Sequence, residues 1–174
     1  MIKIIQSSHP RTGSTLLLNL IHGFISPLEK YHWNTESLIE KFLITKTHNI
    51  NITEFEDKYP QYKLFFIMSE RDDGKVKRKV PDEYKKKSNV LVIDYNKLLE
   101  TNDNTINNIV DYMFNELNKF IPKELKPNKS DDSIKDDMKK RMNKVNEAVE
   151  LMKNKPFSEC DPLTGIHGSH RNRG

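Results

Sequence analysis

Residues 4–21 read IIQSSHPRTGSTLLLNLI, and the order of residue types in this stretch decides the fold. Ile4 and Ile5 close an apolar run of strand length that begins at Ile2. Pro10 and Gly13 punctuate a tight turn, and Ser14 opens a helical pattern that continues to Ile25. A strand that passes through a glycine turn into a helix aims free backbone N–H groups and the positive helix end at one spot, which favours an anion there. Gly13 lets the backbone approach closely. The hydroxyls of Ser14 and Thr15 can donate to oxyanions, and Arg11 adds a forked cation suited to phosphate or sulfate. A plain β–turn–α connection with a Ser cap would share the Gly-Ser-Thr. Pro10 and Arg11 in front of it, at the first strand of an α/β pattern, favour the anion site. The Lys-[Ser/Thr] ending of an ATP-binding P-loop is absent.

Further apolar runs of strand length lie at 42–45, 64–68 and 90–93. They are short, nearly continuous and rich in β-branched or aromatic residues, as strands covered on both faces should be. Helical patterns fall between and after them, at 14–25, 35–41, 53–59 and 104–118. Alternation of this kind predicts an α/β fold: a three-layer α/β/α arrangement around a central parallel sheet of four to five strands. Ligands collect at the carboxyl ends of the strands in such folds, where both the Arg11 turn and the residues after Thr45 fall. Beyond Phe120 a proline-punctuated connection leads to a long helix over 132–154, with Ile134, Met138, Met142, Val145, Val149 and Met152 on one face. That stripe reads as core packing or as a partner face. The expected organisation is one domain, with a sheet core over 1–120, a linker and long helix over 121–155 and a Gly/His/Arg tail over 156–174.

Length and composition fit a single domain: 174 residues, 35% hydrophobic and mean hydropathy −0.76. The single cysteine, Cys160, excludes an internal disulfide and suits a reducing compartment. No apolar run reaches the length of a membrane span, and no charged-then-apolar leader precedes Ile2, so a cytoplasmic protein is expected. The net charge of +4 suits an anionic ligand without demanding nucleic acid. The six histidines show no metal-ligand spacing, and no metal is expected. An oligomer stays open.

PRTGSTLL, residues 10–17, resembles the 5′-phosphosulfate-binding loop of sulfotransferases that use 3′-phosphoadenosine 5′-phosphosulfate (PAPS) as donor. The resemblance implies a P-loop, nucleotide-kinase-like topology and binding of the donor by Arg11, Thr12, Gly13, Ser14 and Thr15. FLITKTH, residues 42–48, resembles the family segment whose histidine is the catalytic base. His48 would then deprotonate an acceptor hydroxyl, while Lys46 and Arg11 stabilise charge on the transferring group. Residues two apart in an extended segment share a side, which would put Lys46 and His48 together.

LFFIMSERDD, residues 64–73, resembles the family strand whose following arginine, here Arg71, binds the donor's 3′-phosphate. Many members place a serine about eight residues later. Lys79 stands there, and no Ser or Thr occurs between Asp72 and Lys87. Lys75, Lys77, Arg78 and Lys79 can replace it as cations, or can form a solvated charged loop. In the tail, GSHRNR resembles the glycine turn and arginine that close over the 3′-phosphate, through Gly168, Ser169, His170, Arg171 and Arg173. VLVIDYNKLL resembles the family's fourth strand and the Tyr-x-x-Leu after it.

The expected function is sulfuryl transfer from PAPS to a small-molecule, glycan or protein hydroxyl, with Tyr31, His32 and Trp33 as a pocket wall. Two alternatives remain. One is a non-catalytic anion- or partner-binding module on a degenerate sulfotransferase fold. The other is an ATP-dependent small-molecule kinase, for which Asp94 is the sole Mg²⁺-binding candidate.

Overall fold

A computed structural model describes residues 1–25, 38–99 and 106–168. The fold is α/β, with a parallel sheet and a long C-terminal helix. By internal packing the chain divides into two compact units, Met1–Ser14 with His32–Asn102 and Thr15–Tyr31 with Asp103–Gly174.

The first unit holds the sheet. Its strands are β1 (Ile2–Ser7), β2 (Ile44–Thr47), β3 (Lys63–Asp72), β4 (Lys77–Arg78) and β5 (Val90–Asp94). The parallel order is β2-β1-β3-β5, and the two-residue β4 pairs antiparallel with the end of β3. From β1 the chain steps to β2 on one side, then crosses to β3 on the other. The topological switch point therefore lies between β1 and β3, and open α/β sheets bind ligands at the carboxyl ends beside such a point.

Register divides the sheet into two faces. Ile5 opposes Phe66, and with Leu64, Met68 and Val90 they form a buried cluster against Ile52 and Phe55 of α3 (Ile52–Lys58). Gln6 opposes both Lys46 and Ile67 on the other face, which also receives Ser69 and carries the polar groups described below. The helix α3 starts one residue earlier than expected because Asn51 caps it, its side chain accepting from Glu54 N at 3.3 Å. The expected helix over 35–41 is described as α2 (Leu38–Lys41). Short helices α4 (Asp82–Lys85) and α5 (Tyr95–Leu99) flank β5.

The helix α1 (Ser14–Ile25) leaves the first unit after Ser14 and has the expected bounds. The second unit also contains α6 (Ile106–Phe120) and α7 (Asp131–Met152), which pack together. Ser130 caps α7 and accepts from Ser133 N at 3.2 Å. Ile134, Met138, Met142, Val145 and Met152 are buried, so those stripe residues serve the core. At Gly23 a Cβ would lie 2.8 Å from Met138 Cα, so α1 and α7 meet at a spacing only glycine permits. Among the described residues, no helix is long and apolar enough to cross a membrane.

Candidate functional site

The loop from Ser8 to Gly13 joins β1 to α1 at the switch point. Two consecutive departures from ordinary backbone shape it. Arg11 has φ 66° and is the sole non-glycine with positive φ among the described residues; Gly13 has φ 74°. For a side chain bearing a Cβ the left-handed region costs about 1–2 kcal/mol, so the loop holds strain at the residue whose guanidinium was expected to meet the anion. Gly13 is required twice over. Besides its φ, a Cβ there would sit 2.3 Å from Cδ2 and Cε2 of Tyr95. Gly13→Ala is therefore expected to lower stability by about 2 kcal/mol or more, conformational cost plus displacement of the ring. Gly74→Ala is the control: its φ is 80° but nothing lies within 4 Å of the added carbon. Paired thermal denaturation should show the clear excess at position 13, and equal losses would remove Tyr95 from the explanation.

Beneath the loop lies a cluster of buried hydroxyls. Thr12 Oγ1 donates to His9 O (2.7 Å) and lies 2.8 Å from Ser69 Oγ. Ser69 Oγ is in turn 3.0 Å from Ser8 Oγ, which accepts from Ser69 N at 2.9 Å and from Gln6 Nε2 at 2.7 Å. Gln6, Ser8, Thr12 and Ser69 are fully buried. Thr12 therefore contributes its side chain to the scaffold, and what it offers an anion comes from its backbone. The network ties the loop to β3 and makes small hydroxyl residues necessary at the strand ends, since a larger side chain would break both packing and hydrogen bonds. Ser14 is also buried as the first residue of α1, and Thr15 follows in the same turn.

Lys46 and His48 stand on the neighbouring strand edge. Lys46 lies inside β2, one residue from its end and in register with Gln6, and is 3% exposed. The expected strand over 42–45 is thus displaced by two residues, and of the pair only His48 lies beyond the strand. His48 Nδ1 is 2.7 Å from Ser8 O. A carbonyl oxygen can only accept, so Nδ1 carries the proton and Nε2 is left as the basic nitrogen. Burial lowers the pKa of His48 below its ordinary value, and the charges of Lys46 and His9 lower it further against the opposing pull of the Ser8 carbonyl. At neutral pH the imidazole is uncharged, with Nε2 able to take a proton.

On the other side of the loop Arg71 donates from Nε to Asp73 Oδ2 (2.7 Å) and from Nη1 to Arg11 O (3.2 Å). Its guanidinium carbon lies 5.2 Å from the Tyr95 ring centroid. Lys79, expected to replace the missing serine, forms an ion pair with Asp72 at 3.2 Å and is largely exposed. Arg78 is the residue opposite Arg71 in the β3–β4 register, and its charge, after burial, helps lower the pKa of His9. Lys85 is engaged by Glu70 and Lys87 by Glu56, whereas Lys77 and Arg78 form no ion pair among the described residues. The basic run thus separates into cations spent on the fold and cations left at the carboxyl edge. Two like charges opposed across a strand pair are unfavourable unless something negative lies nearby.

Arg11, Gly13, Ser14, Lys46, His48 and Arg71 therefore all lie at or next to the carboxyl ends of β1, β2 and β3. Ser169, His170, Arg171 and Arg173, and the proposed wall of Tyr31, His32 and Trp33, lie outside the described residues. Gly168, the first residue of the expected closing turn, donates its N–H to Glu159 O at 2.9 Å. The sequence reading placed Ser69 at the ligand edge but passed over Ser8 and His9, whose signal was present as Ser-Ser-His at an apolar strand end. Among the described residues no group of three or more His, Cys, Asp or Glu could hold a metal ion. Compared with known proteins, the chain matches no family model, no curated protein and no solved structure.

Proposed function

We propose that this protein transfers a sulfuryl group from PAPS to a hydroxyl acceptor. One observation carries the reading: a strained glycine loop opening a helix shares its strand edge with a histidine whose Nδ1 is oriented by the Ser8 carbonyl and whose pKa is lowered by burial and by the charge of a buried lysine. The donor supplies an activated sulfuryl group, and the chain's own groups orient it and move one proton. Arg11, the Ser14 hydroxyl and the first N–H groups of α1, with Thr15 in the same turn, would hold the anionic oxygens. Lys46 offsets charge on the group in transfer. His48 Nε2 takes the proton from the acceptor hydroxyl as the new oxygen–sulfur bond forms and the bond from sulfur to the donor's 5′-phosphate oxygen breaks, adenosine 3′,5′-bisphosphate leaving with that electron pair. Arg78, opposite Arg71, is the cation offered to the donor's 3′-phosphate where related enzymes use serine, since Lys79 is turned to Asp72. The acceptor class is a hydroxyl on a small molecule, a glycan or a protein.

The kinase alternative needs a carboxylate for Mg²⁺. Asp94 accepts from Asn96 N at 2.9 Å, so one of its oxygens caps the helix that follows. Calorimetry with adenosine 3′,5′-bisphosphate and with ATP–Mg²⁺ separates the readings. The bisphosphate is expected to bind at least about tenfold more tightly, a difference of ~1.4 kcal/mol. Preference for ATP–Mg²⁺ would move the protein to the kinases, and binding of neither would leave a non-catalytic module.

A further inference from the structure

We infer that Arg71 and Tyr95 are positioning residues that hold the anion loop in its strained conformation, so that Arg71 serves the ligand through the Arg11 carbonyl. The inference rests on the proposed anion site.

It begins at the turn between β3 and β4. Asp73 Oδ1 accepts from Lys75 N (3.1 Å) and Val76 N (2.9 Å), and Gly74 takes φ 80°, so backbone amides fix the carboxylate. Those amide bonds, with the Arg71 contact, keep Asp73 ionised by lowering its pKa. The other oxygen, Oδ2, accepts from Arg71 Nε and contacts Nη2 at 2.5 Å. Two nitrogens of the planar fork are thereby committed, which leaves Nη1 a single direction, and that direction meets Arg11 O.

Tyr95 supplies the floor. The guanidinium lies over its ring, and the Cδ2–Cε2 edge of the same ring fills the space a side chain on Gly13 would occupy. One aromatic thus touches the loop at Gly13 and steers the arginine that bonds the loop at Arg11. A non-glycine residue is disfavoured in the left-handed region by roughly tenfold or more. Without the brace, Arg11 has reason to rotate back, carrying its guanidinium and the following amides off target.

Two measurements on the full chain test this. The first needs no ligand: limited trypsin digestion, following the fragment that begins at Thr12. Cleavage after Arg11 requires local opening of the loop. Arg71→Gln and Tyr95→Ala should each raise this rate about tenfold over the native chain while cleavage after Lys58 is unchanged. Tyr95→Phe, which keeps the ring, should match the native rate. An unchanged Arg11 rate in both disruptive variants overturns the proposal.

The second is a binding cycle with adenosine 3′,5′-bisphosphate. Arg71→Gln should weaken binding about tenfold in the native background and no more than about twofold in an Arg11→Gly background, because glycine adopts the loop conformation without help. An equal loss in both backgrounds would mean that Arg71 touches the ligand directly, and the positioning role falls. If the native chain binds no bisphosphate, the anion reading fails and the digestion result alone decides whether the brace exists.

Discussion

Replacing His48 by Ala is expected to reduce the proposed sulfuryl transfer by about 10³-fold while leaving adenosine 3′,5′-bisphosphate affinity within about twofold. The separation follows from position. The groups proposed to bind the donor sit in the loop after β1 and at the start of α1, whereas His48 follows β2 and is oriented through Ser8 O. Its pH dependence has a definite sign. A base must be uncharged to act, and burial together with Lys46 and His9 lowers its pKa. The rate should therefore rise with pH through a midpoint below the ordinary histidine value of 6.5 and be flat at neutral pH. Lys46→Met removes one of the opposing charges, so the acid limb should move toward higher pH. The same depression acts on stability: below the unfolded value the unfolded chain binds the proton first, so the contribution of His48 is present at neutral pH and declines as pH falls. Initial rates across pH for native, His48→Ala and Lys46→Met proteins check all of this. Full turnover by His48→Ala would remove His48 from the mechanism, and an acid limb that Lys46→Met leaves in place would remove the Lys46 charge from the cause of its low pKa.

How far the sequence discloses this arrangement depends on the element. α1 was legible to the residue because a glycine turn, a hydroxyl start and helical apolar spacing coincide. The long helix was legible within two residues, its start sharpened by the Ser130 cap. The second strand was not, because its buried residues Thr45, Lys46 and Thr47 are polar, and apolar pattern places the strand two residues early. β4 is two residues long and exposed, held by register with Arg71 and Asp72 and by the Asp73 turn, neither of which has an apolar signature. For the site, residue types and strand edges were readable, whereas partners were not. Nothing in the string says that Lys79 meets Asp72 while Arg78 opposes Arg71, or that the Thr12 hydroxyl faces Ser69. The first two depend on the register of the short antiparallel β3–β4 pair, which has no apolar signature, and the third on β1 lying beside β3, a parallel neighbour from a distant stretch of chain.

Arg141→Leu is expected to cost about 3 kcal/mol and to lower the thermal midpoint by roughly 10 °C. Arg141 lies within α7, beside the apolar stripe, and is 2% exposed. Its Nε donates to Asn19 Oδ1 at 2.8 Å, and Nη2 donates to Leu163 O. Asn19 on α1 passes the connection on, its Nδ2 donating to Thr15 O and Thr164 O, both at 2.8 Å. The segment from Asp161 to Ile166 is closed on itself by Asp161 Oδ2, which accepts from Thr164 N at 2.8 Å and Thr164 Oγ1 at 2.7 Å, with Gly165 at φ 70°. A single guanidinium thus serves α1, α7 and that loop within the second unit. Leucine fills much of the volume but donates nothing, so Asn19 Oδ1 and Leu163 O lose a buried donor at about 1–3 kcal/mol each. Two controls separate hydrogen bonding from volume. Arg141→Lys keeps charge but cannot reach both acceptors with a fork, and should fall between native and leucine. Arg141→Leu with Asn19→Leu removes donor and acceptor together, and should cost less than the two single losses combined. Additive losses would show that packing around α7, and not the shared polar node, holds these elements in place.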